Sequence, residues 1–423
     1  MIPRLGRIRM NILLITVGSS GDVYPFIGIG LALRRRSHRI FLAANAHFQR
    51  LILSVGLEFI PFGTSAEYDQ ILDNPDLWNK NRAFATVCQR GIIPLMRPGY
   101  EIVSDFHRTH GGVVAAHGIA LGARLAQEIH GIPMATIHLA PVVFRSVYQT
   151  PKLPGVFLPQ RTWPFLKRWV YALADRFLLD KLIDRPVNVL RGELRLMPVR
   201  RVIFDWWNSP QLVIGLFPPW YAPPQSDWPP QAFLTDFPLY DAPELQPMPP
   251  ELCEFLAGGP PPVVLTPGSA MRHAAAIFAT VVRTCRATGR RGLLLTHFSD
   301  QVPADLPPHV KYFPYAPLSQ VLSHSALLVH HGGIGTTAAA LAAGVPQVIL
   351  PFAHDQLDNA ARIQRLGVGR AISPARFHPA LAGRLFDELT TDSVRDHCEK
   401  VAGRLHPHHG LDETCRLIES LAT

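Results

Sequence analysis

The chain has 423 residues, 48% of them apolar and 17% charged, with a formal net charge of +9. That length exceeds one ordinary core and predicts two domains of about 200 residues each, and the apolar content excludes a disordered chain. The basic balance admits a nucleic acid, an anionic membrane surface or a phosphate-bearing ligand; without a long basic run, zinc-finger spacing or an RNP-type motif, nucleic acid is set aside as a partner.

The opening MIPRLGRIRMNILLITVG pairs a basic start with an apolar segment. That segment is short, runs into GSSGD and lacks a small-residue cleavage pattern, so it reads as a buried strand and not a signal peptide. NILLITV (11–17) is a continuous apolar run, as in a strand covered on both faces. GSSGD is a turn, and PFIGIGLALRRR a helix closed by cations. RIFLAAN is a second strand, AHFQRLILSVG a helix stopped by Gly56, and LEFIPFG a third strand. The result is a βαβαβ half. The pattern resumes at VVAAH (113–117), ALGARLAQEIHG and IPMATIHLAP. Between 141 and 230 aromatics, prolines and arginines mix, as in FLPQRTWPFLKRWVYALADRFLL, and such proline density predicts broken elements. TDFPLYDAPELQPMPP (235–250) reads as an interdomain linker.

The second half alternates again: strand and turn PVVLTPG (262–268), helix AAAIFATVVRTCRATG, strand RGLLLTHF, then HVKYFPYAP. The short helix LSQVLSHSA leads to strand ALLVHH, helix GTTAAALAAG, strand PQVILPF and helix DQLDNAARIQRLG. ETCRLIESLAT is an amphipathic closing helix. The predicted fold is α/β, with two Rossmann-like parallel-sheet domains over 1–236 and 251–405, a linker at 237–250 and a tail helix within 406–423. Cys88, Cys253, Cys285, Cys398 and Cys415 lie far apart without a CxxC pair, which predicts free thiols in a reducing cytoplasm. His406, His408 and His409 read as a solvated tail and not a metal site. No run approaches 18 apolar residues, so no transmembrane helix is expected.

The chemistry gathers at strand ends. In LVHHGGIGTTAAALAAG (328–344) a strand feeds a glycine turn that opens a helix. The free N–H groups there carry partial positive charge, and glycines let an anion approach closely, which makes a phosphate cradle. His331 can add a donor or a charge, and the hydroxyls of Thr336 and Thr337 two more donors. A second turn, TPGSA (266–270), follows the first strand of the same half. The plainer alternative is tight βα packing. The stretch is not a Walker A loop, because no lysine follows the glycines, and Gly18 and Gly21 do not make a dinucleotide fingerprint. In PFAHDQLDNA (351–360), Asp355 and Gln356 suit sugar hydroxyls, or Asp355 merely caps a helix. Asp22, in GSSGDVYP at the end of the first strand, suits a general base or another helix cap.

HHGGIGTT…GVPQVILPFAHDQ resembles the donor signature of the GT-B nucleotide-sugar glycosyltransferases, and GSSGDVYPFIGIGLAL resembles their opening. Within that group FPPWYAPPQSDWPP, TDFPLYD, YAPLS and AHDQLDNAARIQRLG resemble the rhamnosyltransferases of rhamnolipid synthesis. The resemblance implies two domains facing across a cleft, the first binding the acceptor and the second the nucleotide sugar, with the C-terminal helix crossing back to the first. It implies a metal-independent hexosyltransferase with no cofactor beyond a dTDP-sugar co-substrate. His331, Gly332, Gly333, Gly335, Thr336 and Thr337 would hold the diphosphate with help from Ser269. Tyr315, Ala316 and Pro317 would frame the base, Asp355 and Gln356 would bind the sugar, and Asp22 would take the acceptor proton. Ala339 stands where the plant branch has a ribose-binding glutamate, which fits a deoxyribose.

The implied reaction is inverting transfer of L-rhamnose from dTDP-L-rhamnose to the hydroxyl of a 3-(3-hydroxyalkanoyloxy)alkanoate lipid. The alternative is a UDP-glucose enzyme acting on a sterol, carotenoid or other hydrophobic aglycone. A non-catalytic nucleotide-sugar-binding subunit and a nucleotide-sugar epimerase are the competing classes. The stretch from Trp78 to Tyr100 and residues 144–179 are candidates for a lipid groove, with Arg145, Arg161 or Arg168 meeting an acceptor carboxylate. A cytoplasmic location is expected, with room for peripheral contact with the inner membrane and for a partner protein that supplies the acceptor.

Overall fold

The computed structural model describes residues 9–153, 158–242 and 247–422. The basic start at 1–8, residues 154–157 of the expected lipid groove and 243–246 of the expected linker lie outside the described residues.

In the N-terminal half, β1 (Asn11–Ile15), β2 (Arg39–Ala44), β3 (Glu58–Pro61), β4 (Val113–His117), β5 (Met134–His138), β6 (Leu212–Gly215) and β7 (Ala232–Leu234) form a parallel sheet ordered β3-β2-β1-β4-β5-β6-β7. The continuous apolar run of β1 has its reason here. Alternate residues face opposite sides of a strand. Ile12 and Leu14 pack under Phe26, Ile27 and Leu33 of helix α1 (Ser20–Arg35). Leu13 and Ile15 meet Val103, Phe106 and Ala126 on the other face, from the two helices that precede β4 and β5.

The C-terminal half repeats the plan. β8 (Val263–Thr266), β9 (Gly292–Leu295), β10 (Val310–Phe313), β11 (Leu327–His330), β12 (Gln347–Ile349) and β13 (Gly369–Ala371) form a parallel sheet ordered β10-β9-β8-β11-β12-β13. In both halves the order reverses beside the first strand. That reversal opens a crevice at the carboxyl ends of the strands, where ligands of such sheets bind.

Three expectations change. Helix α1 starts at Ser20, so GSSGD is half turn and half helix, and Pro25 lies inside the helix. The stretch expected to be broken, 141–230, holds β6 and a long helical segment: α2 (Pro164–Ala174), a π-helical continuation over Asp175–Asp184, and α3 (Arg185–Glu193). Its prolines sit where they are tolerated. Pro164 opens a helix, where the missing N–H is unpaired in any case, Pro186 sits at the junction where the π-helical turns pass into α3, and Pro218, Pro219, Pro223 and Pro224 lie between strands. The closing helix begins earlier than expected, at Pro407.

That helix, α4 (Pro407–Glu419), leaves the C-terminal half and packs Cys415 and Ile418 into the core cluster of β1 and α1. Its end is tied down by Glu419, which accepts from Arg36 Nε at 2.7 Å and Nη2 at 2.8 Å and lies 2.8 Å from His38 Nε2. The Arg36 hydrogen bonds hold Glu419 at about 2, with burial pulling the other way and His38 assisting. A depressed carboxylate stabilises the fold above its unfolded value, and that stability is lost as pH falls toward the folded value. Wild type is therefore expected to lose on the order of 2 kcal/mol between about pH 4.5 and 2 through this group, a loss that Glu419→Gln does not share. Melting temperatures of the two proteins across that range check it.

Candidate active site

The two sheets aim their carboxyl ends at one cavity of about 1230 Å³. Single small-molecule sites run to roughly 300–1,000 Å³, so this one has room for two ligands at once. Gly18–Asp22 after β1, His117 at the end of β4 and His138 at the end of β5 form one wall, and Thr266, Gly268, Ser269 and Ala270 at the end of β8, His297 after β9, Tyr315 after β10, His331 and Gly333–Thr336 after β11 and His354–Gln356 after β12 form the other.

Asp22 is the third residue of α1, and its Oδ2 accepts from the Ser19 N–H at 2.8 Å and the Ser19 hydroxyl at 3.3 Å. The helix cap and a carboxylate on the cavity wall therefore coincide in one group. Gly18 makes this possible. It has φ of +129°, and a Cβ there would lie 2.1 Å from Asp22 Oδ2. Burial pushes Asp22 up to about 6 against the pull of both Ser19 hydrogen bonds. Near neutral pH it is an ionised base of unusually high proton affinity.

The glycine turn leads into helix α5 (Ile334–Ala342), the helix that follows β11. Gly333, Gly335, Thr336 and His331 stand on the cavity wall. Burial lowers His331 to about 4, with His354 adding to the effect, so it offers a neutral donor and not a charge. Its Nδ1 is buried without a partner. Gly268, at φ of +98°, lets the TPGSA turn lie against the His331 ring, and Ser269 beside it is exposed on the same wall. Two expected donors stand behind the wall: Gly332 is buried and gives its N–H to His330 Nδ1, and Thr337 is fully buried, its N–H spent on the Gly333 carbonyl and its hydroxyl without a partner among the described residues. Helical geometry explains Thr337: the residue after an outward Thr336 turns toward the domain interior.

Helix α6 (Gln356–Leu366) opens from the PFAHDQ turn. Asp355 Oδ2 accepts from the Ile334 N–H at 3.1 Å and from Asn359 Nδ2 at 2.7 Å, which ties this turn to the start of α5. Burial pushes Asp355 up to about 6; Asn359 opposes the shift and the Asp22 charge adds to it, which puts the two carboxylates within electrostatic reach across the cleft. Gln356 Oε1 accepts from the Phe352 and Ala353 N–H groups at 2.7 and 3.1 Å. Its amide N–H₂ has no partner among the described residues. At the far end Tyr315 donates to the Asp241 carbonyl at 2.7 Å and stacks on His297 with centroids 5.8 Å apart. Ala316 reaches the wall, but Pro317 stands behind it at the start of a short helix.

Sequence reading missed His297, His354, Tyr24 and Asp241, all on the wall. Tyr24 lies in GSSGDVYP, Asp241 in TDFPLYD and His354 in PFAHDQLDNA, but only the fold brings them together at one wall. Trp78, expected in a lipid groove, stands beside His331 and His354. Arg145 also reaches the wall, but its guanidinium is committed to Asp175 at 2.5 and 2.7 Å, so it is not free for an acceptor carboxylate. Lys80 and Arg90 are exposed on the wall and make no ion pair among the described residues. No group of three His, Cys, Asp or Glu that could hold a metal ion occurs among the described residues, and no described helix is long and apolar enough to cross a membrane.

Two family models match the chain: the glycosyltransferase family 28 N-terminal domain over residues 12–149, and the erythromycin biosynthesis protein CIII-like C-terminal domain over 294–404. O-mycaminosyltylonolide 6-deoxyallosyltransferase of Streptomyces fradiae is 29% identical, over 98% of both chains. Vancomycin aglycone glucosyltransferase of Amycolatopsis orientalis is 29% identical, over 91% of both. The glycosyltransferase of kitacinnamycin superimposes with a TM-score of 0.73 at 22% identity, over 98% of this chain and all of that one. Spinosyn rhamnosyltransferase SpnG, complexed with thymidine diphosphate, gives 0.65 at 17% identity, over 98% and 100%. Matched in both halves and facing its two Rossmann-like sheets across one cleft, the chain is a glycosyltransferase of the GT-B fold and the family 28/erythromycin CIII-like type, a metal-independent class that takes its sugar from a nucleotide.

Proposed function

We propose that the enzyme transfers L-rhamnose from dTDP-L-rhamnose to the hydroxyl of a 3-(3-hydroxyalkanoyloxy)alkanoate lipid, with inversion at the anomeric carbon. The observation that carries this reading is the wall beyond Asp22. Leu77, Phe84, Val87, Ile92, Leu95, Val143, Val170, Leu178, Leu179 and Leu182 make a long, mostly aliphatic lining that suits flexible acyl chains. Each methylene buried there contributes about 0.8 kcal/mol. Lys80 and Arg90 suit the lipid's carboxylate. On the donor side, Ala339 on the wall leaves no carboxylate for a ribose 2′-hydroxyl, in keeping with a deoxyribose. The spinosyn rhamnosyltransferase bound to thymidine diphosphate supports the same choice.

In this reading His331, Ser269, Thr336 and the N–H groups of Gly333, Gly335 and Thr336 hold the diphosphate. Asp355 and the Gln356 amide bind sugar hydroxyls, and Tyr315, with Ala316, frames the base. Asp22 takes the proton from the acceptor hydroxyl. The oxygen forms its bond to the anomeric carbon as the bond to the phosphoryl oxygen breaks, and dTDP leaves with the electron pair. The start of α5 and the His331 donor face the charge that develops on the diphosphate. A second reading, UDP-glucose with a rigid aglycone, draws on relatives such as sterol 3-beta-glucosyltransferase UGT80A2 of Arabidopsis thaliana, 25% identical over 95% of this chain and 64% of that one.

The outward face of the helical segment from α2 supports peripheral membrane contact. Trp163 is 69% and Trp169 68% exposed, with Phe165, Leu173, Phe177 and Leu178 beside them and Arg161, Arg168 and Arg176 interspersed. Val170, Ala174 and Leu178 of the same segment line the cavity, so a lipid has a short path from bilayer to site.

A donor-by-acceptor mass-spectrometry matrix tests the assignment. Purified enzyme meets dTDP-L-rhamnose or UDP-glucose, each with the hydroxyalkanoyloxyalkanoate in anionic vesicles or with a sterol. Expected is a mass gain of one deoxyhexose on the lipid, from the dTDP donor alone, with acceptor KM falling roughly two- to fourfold per added methylene until the cavity fills. Hexose transfer from UDP-glucose to the sterol, with the lipid untouched, sinks the rhamnolipid reading and leaves the fold and mechanism standing.

A further inference from the structure

One segment of the N-terminal half reaches across to the donor side of the cleft. Asp69 and Asp73, on the helix Ser65–Leu72 and at its end, pair with Arg272 of the C-terminal half. The Leu77 carbonyl lies 3.0 Å from His354 Nε2. Trp78 then stands edge-on to His331, with ring centroids 6.5 Å apart and planes at 86°, and to His354 at 5.6 Å and 78°. His354 has φ of +58°, a left-handed value rare outside glycine, so surrounding contacts hold it in place.

Trp78 lies on the cavity wall, and its indole N–H is buried with no partner, as is Nδ1 of His331 beside it. Buried polar groups in native proteins are almost always paired. Two orphans on neighbouring rings beside a glycine-rich helix turn leave room for acceptor atoms from outside the protein. Tryptophan can only donate, so the atom it meets is a hydrogen-bond acceptor. The Trp78 ring itself packs against the clusters of both halves, so a seated N-terminal segment sets where that donor points.

We propose that Trp78 is a donor-binding residue contributed by the opposite domain: its indole N–H donates to an oxygen at the sugar–diphosphate end of the nucleotide sugar, beside His331. The inference rests on the reading of the glycine turn as the donor cradle, and not on the choice of sugar or acceptor. It makes the donor site whole only when the segment 69–78 is seated on Arg272 and His354.

The test compares wild type with Trp78→Phe, which keeps an aromatic ring and removes the N–H. Both are titrated calorimetrically with dTDP, UDP and dTDP-L-rhamnose, and melted with and without ligand. Whichever ligand wild type binds, Trp78→Phe is expected to bind it about tenfold more weakly. The unliganded variant is expected to melt no lower than wild type, because the N–H has no protein partner to lose. A merely structural tryptophan would give the opposite pattern. Equal weakening toward nucleoside diphosphate and intact donor assigns a phosphoryl oxygen; weakening toward the intact donor alone assigns a sugar hydroxyl. Unchanged affinity in Trp78→Phe, or a loss matched by a fall in the unliganded melting temperature, overturns the proposal. Preference for UDP over dTDP corrects the choice of donor and leaves the Trp78 comparison intact. A wild type that binds no nucleotide overturns the cradle reading together with this one.

Discussion

Asp22→Asn is expected to lower kcat by roughly 10²–10⁴-fold and, at the same time, to make the protein harder to melt at pH 7. Both effects come from one property. Burial pushes the Asp22 carboxyl from 3.8 up to about 6. A carboxyl raised in this way favours the folded state when protonated, and that favour is lost as pH rises from the unfolded value through the folded one. Wild type at pH 7 therefore carries an ionised group that the fold would rather hold neutral, at a cost on the order of 1–3 kcal/mol. Asparagine keeps the shape and can still accept from Ser19 without that charge. The melting difference should vanish below about pH 3.8, where the wild-type group is protonated in both states. The same proton disables the proposed base, so kcat/KM of wild type should fall as pH drops through about 6. A variant that keeps a tenth of wild-type turnover, or a rate flat between pH 5 and 7, would show that Asp22 is not the base.

Gly268→Ala is expected to weaken nucleotide binding by roughly 10–100-fold, with a modest loss of stability. The added Cβ would lie 2.6–3.0 Å from three atoms of the His331 ring, so the ring must leave its place beside the glycine turn. The backbone there, at φ of +98°, also resists any residue with a side chain, which costs about 1–2 kcal/mol. Gly111→Ala separates the two effects. Its φ is +62° and its Cβ meets nothing within 4 Å. Both variants should melt lower, and Gly268→Ala alone should lose affinity for dTDP in a calorimetric titration. Equal affinity in the two would mean that His331 has no part in holding the nucleotide.

The parts of this enzyme that a single segment encodes are legible in the sequence. NILLITV declares a strand buried on both faces because every residue is apolar, and LVHHGGIGTT declares a strand, a turn and a helix start in ten letters. Asp22 could be read either as a cap or as a base; the fold makes it a cap and also sets it on the cavity wall. What stayed hidden depends on contacts between segments far apart in the chain. Nothing in FLPQRTWPFLKRWVYALADRFLL separates a proline that breaks a helix from one that opens it. Thr336 and Thr337 look alike in sequence, but a turn of 100° per residue sends one to the cavity and the other inward. Arg145 looked free because Asp175, the partner that neutralises it, lies thirty residues on and across a helix. Trp78 carries no motif at all, and its position over His331 follows from where the helix Ser65–Leu72 sits on Arg272.

The chain passes between its halves twice, once after β7 and once on the way back to α4, and the two passages touch. Asp236 Oδ2 accepts from the His406 N–H at 2.6 Å, and a Cβ on Gly410 would strike the Asp236 backbone. Two tethers fastened at one place act mechanically as a single pivot. They resist the halves sliding past or pulling away from each other, and leave swinging as the soft motion. The mouth of the cleft can then widen for a bulky acceptor without the registration of Asp22 against the glycine turn being lost on each return.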